Sequence, residues 1–246
     1  MPIRARSRLL TGSRTAAVAA ALLPALALTA ACGGGKGSAT TPQGVVASGA
    51  VSTAKLTQAL LTSSDVSHVQ VLPAGSKTQL LGGAQTADKP ACQPIADQWS
   101  SGPKHPRQVY TGAMVTDTAA ADKKAKTITL EVIASYKPGE AKAVLDELTT
   151  ALRTCHNYRT TRNGATTTFS VQQVAARGTA LGDQLVTYTI ADTARGAAGI
   201  VLVTVVRVGE TTAAFETVRA DHTTATLREA IPLKQTAKLR EAATGD

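Results

Sequence analysis

The chain has 246 residues and a formal charge of +9, from 26 basic and 17 acidic side chains. The bases are scattered and aromatic residues make up only 3%, so no Lys/Arg cluster interleaved with aromatics marks a nucleic-acid binder. A core must therefore be built from Val, Leu, Ile and Ala, and the abundant Thr favours strands.

The amino end carries Arg4, Arg6, Arg8 and Arg14, then an apolar block from Ala16 to Leu28 interrupted by Pro24. A charged stretch, a short apolar block and a small-residue zone are the anatomy of a secretory signal. The block is too short for an easy bilayer span of about 20 residues. The run Leu28-Thr29-Ala30-Ala31-Cys32 resembles the lipobox of bacterial lipoproteins, with Thr29 where that motif usually has Leu. The resemblance implies cleavage before Cys32, acylation of its thiol and a mature chain held at the outer face of the cell membrane. Residues 1–31 are then the lipoprotein signal peptide, and 32–51 the lipidated Cys and a Gly/Ser/Thr-rich tether. Residues 52–246 form one extracytoplasmic domain. Residues 1–31 hold four Arg and no acid, so removing them brings the charge from +9 to +5.

With Cys32 acylated, Cys92 and Cys155 remain as an even pair in an exported chain, and a disulfide is expected. Metal binding does not suit them, since neither a CxxC nor a His/Cys cluster at ligand spacing accompanies them.

The domain begins near Ser52 with a short helical face of Leu56, Ala59 and Leu60. Val69–Leu72 reads as a strand. A second short helix over about 91–100 puts Cys92, Ile95, Ala96 and Trp99 on one face. Val109–Thr118 and Thr127–Tyr136 alternate as strands around a polar loop, with Ile128, Leu130, Val132, Ala134 and Tyr136 on one face and Thr127, Thr129 and Glu131 on the other. Pro138-Gly139-Glu140 opens the clearest helix, whose stripe is Ala141, Val144, Leu145, Leu148, Ala151, Leu152 and Cys155. Asn163-Gly164 is a turn signal. Strands follow at 166–175, 184–191, 199–208 and 211–219. Gly199–Val208 is almost wholly apolar and should lie centrally, covered on both faces; Gly209-Glu210 turns it into its hairpin partner. Residues 223–243 read as a helix split by Pro232. The fold class is α+β: a mostly antiparallel sheet of about five to six strands with helices packed on one face.

Cys92 near a Trp, the helix ending at Cys155, the hairpin after Gly182-Asp183 and the run Val205-Val206-Arg207-Val208-Gly209 together resemble exported actinobacterial lipoproteins with a PknH-like extracellular sensor domain, over about residues 52–242. The resemblance implies an α+β sandwich with a cleft for an extracellular ligand. Kinase-attached members carry two disulfides, whereas this chain can make one. The family supplies no catalytic residue to carry over.

The chemistry-bearing motifs are few. Gly-x-Ser-x-Gly, Gly-x-x-x-x-Gly-Lys-Ser/Thr and His-Glu-x-x-His are absent from the sequence. His68 and His105 read as surface residues. His156 follows Cys155 directly, but sequence neighbours face apart and a disulfide consumes the thiol. His222 reads as part of a polar cluster with Asp221 and Arg219. Asp183, beside Gly182, reads as a turn that could line a ligand cleft. Arg207, in an apolar strand, must reach an acid, a ligand or water. The expectation is a non-enzymatic ligand-binding or sensor-type lipoprotein without cofactor or metal, anchored in the membrane through its lipid, whose ligand is a small molecule, a lipid or a protein. The alternatives are an adaptor working through protein contacts and an envelope hydrolase with an unrecognised site.

Overall fold

A computed structural model describes residues 50–162, 164–175 and 181–244. The signal, Cys32 and the tether up to residue 49 lie outside the described residues, while Val51, expected in the tether, is buried in the domain and its N–H donates to Ser135 Oγ at 2.8 Å. Eight strands form one antiparallel sheet: β1 (Val69–Pro73), β2 (Val109–Asp117), β3 (Thr127–Ser135), β4 (Asn157–Arg162), β5 (Ala165–Gln173), β6 (Gln184–Asp192), β7 (Ile200–Val208) and β8 (Thr211–Arg219). Their order across the sheet is β1-β2-β3-β8-β7-β6-β5-β4. Two meanders, β1–β3 and β4–β8, thus meet at the β3–β8 pair, whose register sets Thr127 beside Arg219 and Ser135 beside Thr211.

The count of eight corrects the expected five to six. β4 escaped the reading because Tyr158 is the one large apolar residue in its sequence, Asn-Tyr-Arg-Thr-Thr-Arg. It is an edge strand, and an edge needs little apolar surface. The central position of β7 is as expected. Val203 and Val205 enter one core, and Val206 and Val208 enter another.

Helices cover both faces of the sheet rather than one. On one face lie α2 (Gln93–Ala96), preceded by a 3-10 turn at Pro90–Cys92, and α3 (Glu140–Thr154). The α3 stripe of Ala141, Val144, Leu145, Leu148, Ala151 and Leu152 is buried as the spacing predicts. It packs on Val186, Tyr188, Ile190, Val203 and Val205. Cys92 and Cys155 form a disulfide with a Cα–Cα distance of 5.4 Å, tying the turn before α2 to the end of α3. On the other face lie α1 (Thr53–Ala59) and α4 (Ala230–Thr244). The Ser52 side chain caps α1 by accepting from the Lys55 N–H at 3.3 Å. Leu56, Ala59, Ile231 and Leu239 pack on Ala113, Ile133, Val206, Ala213 and Phe215.

Pro232 does not split the last helix. Helix α4 starts at Ala230, so Pro232 falls in its first turn, where a missing N–H costs no intrahelical bond. Residues 223–229 precede the helix as an irregular segment. The second helix is also shorter than expected, ending at Ala96 before turns that lead to Trp99.

Candidate functional site

The face beneath α1 and α4 is the more polar one. The register across β3, β8, β7 and β6 lines up Glu131, Phe215, Thr204 and Thr187 in one row, and Thr129, Thr217, Leu202 and Thr189 in the next. The β3–β8 part of these rows is closed. Glu131, Thr129, Phe215 and Thr217 are buried, and the Thr129 and Thr217 hydroxyls bond to each other at 3.0 Å. Helix α4 is fastened to the end of α1 by polar side chains. Gln235 Oε1 accepts from the Leu61 N–H at 3.1 Å, and its Nε2 donates to the Ala59 carbonyl at 2.9 Å. Lys238 Nζ donates to the Leu60 carbonyl at 2.7 Å and to Asp65 Oδ2 at 2.8 Å. Burial works to raise the Asp65 pKa, but the bonds from Lys238 and Thr62 prevail and hold it at about 2.

Glu131 has no such help. Both its carboxylate oxygens are buried without a hydrogen-bond partner. Burial pushes its pKa up to about 8, against a smaller opposing pull from Lys238 and a push from Asp65. A neutral carboxyl is far cheaper to bury than an ionised one. On the other face, burial also pushes Glu216 well above the usual carboxylate range.

The β6–β7 part of the same two rows is open. Thr187, Thr189, Leu202 and Thr204 floor a groove of about 160 Å³. Val174, Ala175 and Leu181 wall it on the β5–β6 side, Thr224–Leu227 and Glu229 come from the segment leading into α4, and Pro232 from the first turn of α4. A second, more open recess of about 300 Å³ lies at the ends of β2 and β8, lined by Asp117, Ala120, Ala125, Thr127, Arg219, Thr226 and Arg228. Thr226 belongs to both walls. Arg228 Nε donates to Asp117 Oδ2 at 2.9 Å and its Nη2 to the Ser67 carbonyl at 2.8 Å. Arg219 Nη2 meets Asp221 Oδ2 at 3.0 Å, while its Nε is shielded and has no partner.

Asp183 and Arg207, the residues singled out for a ligand cleft, are brought together by the fold. Arg207 Nη1 lies 3.1 Å from Asp183 Oδ2, and Arg207 Nε donates to Gln184 Oε1 at 2.6 Å. Asp183 Oδ2 also accepts from the Gly209 N–H at 2.8 Å. The pair clamps the Gly182 turn to the β7–β8 turn. Gly182 is required there, because a Cβ would come within 2.4 Å of the Arg207 carbonyl oxygen. Neither charged residue lines the groove.

His105 corrects the surface reading. Its side chain is only 15% exposed, held between Glu140 at Nδ1 and Glu147, whose carboxylate lies 3.2 Å from Nε2. Burial lowers its pKa, but the bonds and charges of Glu140 and Glu147 outweigh this and raise it. The adjoining cavity, which also touches Arg107 and Tyr136, has about 10 Å³ of room, enough for roughly one water. His68 and His222 occupy left-handed turn positions with φ of 57° and 61°, and His156 is exposed. Asp221 spends its carboxylate on Thr223 and Arg219. Among the described residues no group of three His, Cys, Asp or Glu could hold a metal, and no helix is long and apolar enough to cross a membrane.

The groove was invisible in the sequence, since its floor alternates with core residues on two strands and its walls come from loops. The one available signal was the threonine run on strands that are otherwise apolar.

The architecture is that of an extracellular sensor-type domain. The profile of the PknH-like extracellular domain family matches residues 51–224, and the chain belongs to that family. Among solved structures it is similar to the extracellular domain of PknH from Mycobacterium tuberculosis. The two are 13% identical with a TM-score of 0.51, over 80% of this chain and 98% of that one. At that identity the likeness speaks for the fold. No curated protein matches the chain.

Proposed function

We propose that this chain is a membrane-anchored extracytoplasmic lipoprotein, acylated at Cys32, whose domain is a non-enzymatic ligand-binding sensor. The observation that carries the ligand-binding part is the groove over β6 and β7. It lies on a rigid sheet, its floor offers hydroxyls and methyls together, and its walls are mostly apolar. That is the usual make-up of a small-molecule site. Anchoring rests on the lipobox resemblance. Thermal melts of the protein against lipids, wall fragments and small metabolites test the binding: a ligand raises the melting temperature, and Thr204→Phe, which fills the groove, abolishes the shift. A screen in which no compound moves the transition refutes it. Mass spectrometry of the mature terminus tests the anchor, where an unmodified Cys32 would refute it. Asp183 and Arg207 take part in this reading as a clamp that fixes the turn before β6 to the β7–β8 turn; a ligand role for them requires their mutual ion pair to open, which a ligand-dependent change on Arg207→Gln would reveal.

The adaptor reading has one observation in its favour. Leu72, Met114, Ile128 and Val218 are 72%, 40%, 41% and 36% exposed. The register puts Leu72 beside Met114 and Ile128 beside Val218, so they gather at the β1–β2–β3–β8 end of the sheet. Apolar clusters of this kind mark contact surfaces. A photo-crosslinker at Met114 that captures one dominant envelope protein in cells would favour this reading over the sensor.

A further inference from the structure

The groove and the recess beside it differ in character, and the difference bears on what they hold. Among the described residues the groove's lining has no basic side chain, and the one charged residue there, Glu229, is exposed to solvent. Among the described residues its lining also contains no aromatic side chain, so these offer no stacking platform for a base or a sugar ring. At about 160 Å³ it is close to the roughly 150 Å³ apolar cavity that accepts a benzene-sized guest. About six carbons of a slender chain fit this space; a double-chain lipid or a folded peptide does not.

The recess on the other side of Thr226 is basic. Its lining carries Arg219 and Arg228 against Asp117, and Lys123, Lys124 and Lys126 lie in the neighbouring turn with Asp122. Arg228 is spent on Asp117 and Ser67. Arg219 is only half spent: Asp221 takes Nη2, and Nε is shielded from water with no acceptor. A shielded guanidinium donor without a partner is costly. The Arg219 side chain nevertheless lines the recess and is 34% exposed, so an anionic oxygen there can accept from its guanidinium, and charge-assisted bonds to Arg are the strong ones.

We infer that the two cavities together take a single-chain anionic amphiphile. Its acyl or prenyl chain lies over Thr187, Thr189, Leu202 and Thr204, and its carboxylate or phosphate accepts from Arg219. This deepens the ligand-binding reading above and rests on it. Thr226, common to both walls, marks where head and chain join.

The test uses the full chain carrying Cys32→Ala, so that no acyl group of its own competes. Calorimetric titration and methyl NMR are run with dodecanoate, dodecyl phosphate, monododecanoylglycerol and inorganic phosphate, all below micellar concentrations. Dodecanoate and dodecyl phosphate should bind one to one, about tenfold tighter than the neutral glyceride, a difference of about 1.4 kcal/mol. The methyl signals of Thr187, Thr204 and Leu202 should move, and inorganic phosphate alone should leave them unmoved. Arg219→Gln should bring both anionic probes down to the affinity of the glyceride, and Thr204→Phe should weaken all three chain-bearing probes. Equal binding of glyceride and dodecanoate overturns the anionic head while leaving a ligand-binding groove standing. Phosphate binding as tightly as dodecyl phosphate overturns the chain. Still methyl signals with every probe overturn this inference and the groove reading together.

Discussion

The two faces of the sheet are built on different terms. Under α3 the contacts are almost all aliphatic or aromatic, a disulfide pins the helix end, and Ile95, Leu145, Leu148 and Tyr188 are fully buried. Under α1 and α4 the same sheet presents threonines and an orphaned glutamate, and the helices are held partly by Gln235 and Lys238. Dense packing fixes a frame, because a core tolerates little change in volume. Polar packing leaves space beside it, and the groove lies there. One face holds the shape while the other stays open for chemistry.

Four measurements break or sharpen that contrast. Removing the bridge with Cys92→Ser and Cys155→Ser should cost about 4 kcal/mol on the chain-entropy view of a loop spanning 63 residues; unchanged denaturant midpoints would show that α3 needs no staple. Leu148→Ala on the closed face should cost about 3 kcal/mol, against about 1 kcal/mol for Leu202→Ala on the groove floor, where a void already exists. Equal losses in chemical denaturation would erase the difference between the faces.

Glu131→Gln should stabilise the protein at neutral pH. The folded pKa of Glu131 is raised to about 8 from 4.5, so the unfolded chain releases this proton first. Folded stability therefore falls as pH rises from about 4.5 to 8, by up to about 1.4 kcal/mol per pH unit. The Gln variant lacks this slope and should lead by about 2 to 3 kcal/mol at pH 7, with the two proteins alike near pH 4. A parallel pH dependence would mean that Glu131 finds a partner.

The smallest effect belongs to the closed face. The His105 pKa is raised by Glu140 and Glu147. Its contribution is therefore complete below the ordinary imidazole range and is lost as pH climbs through the raised value. His105→Ala should cost about 1 kcal/mol at pH 5.5 and less at pH 8.5, since such partly exposed pairs are screened. Urea midpoints at the two pH values check it, and equal losses would assign His105 to packing alone.

How far the sequence reveals this fold depends on where a segment sits. Helix α3 and strand β7 are legible because their apolar periods match their burial residue by residue. The edges are not: β4 has one large apolar residue, and its existence follows from pairing with β5. Strand β3 misleads in an instructive way. Its apolar set includes Ile128, 41% exposed, while Glu131 in its polar set is fully buried. Alternation separates two faces but does not say which one a distant helix will cover. Helix α4, which covers Glu131's side, lies about a hundred residues downstream. The disulfide was readable from Cys count and compartment. The groove was not, because it depends on loops whose positions only the assembled sheet sets.

The seam between β3 and β8 also governs when the molecule can assemble. The amino-terminal meander ends on β3, and its outer neighbour is the last strand to be made. Synthesis runs from the amino end, so β3 stands bare-edged until residue 219 has been made. Late closure of this kind slows folding and leaves a strand edge open to mispairing. A nascent chain halted short of β8 would carry every residue of the first three strands and still lack the hydrogen-bond partner that joins them to the rest of the sheet.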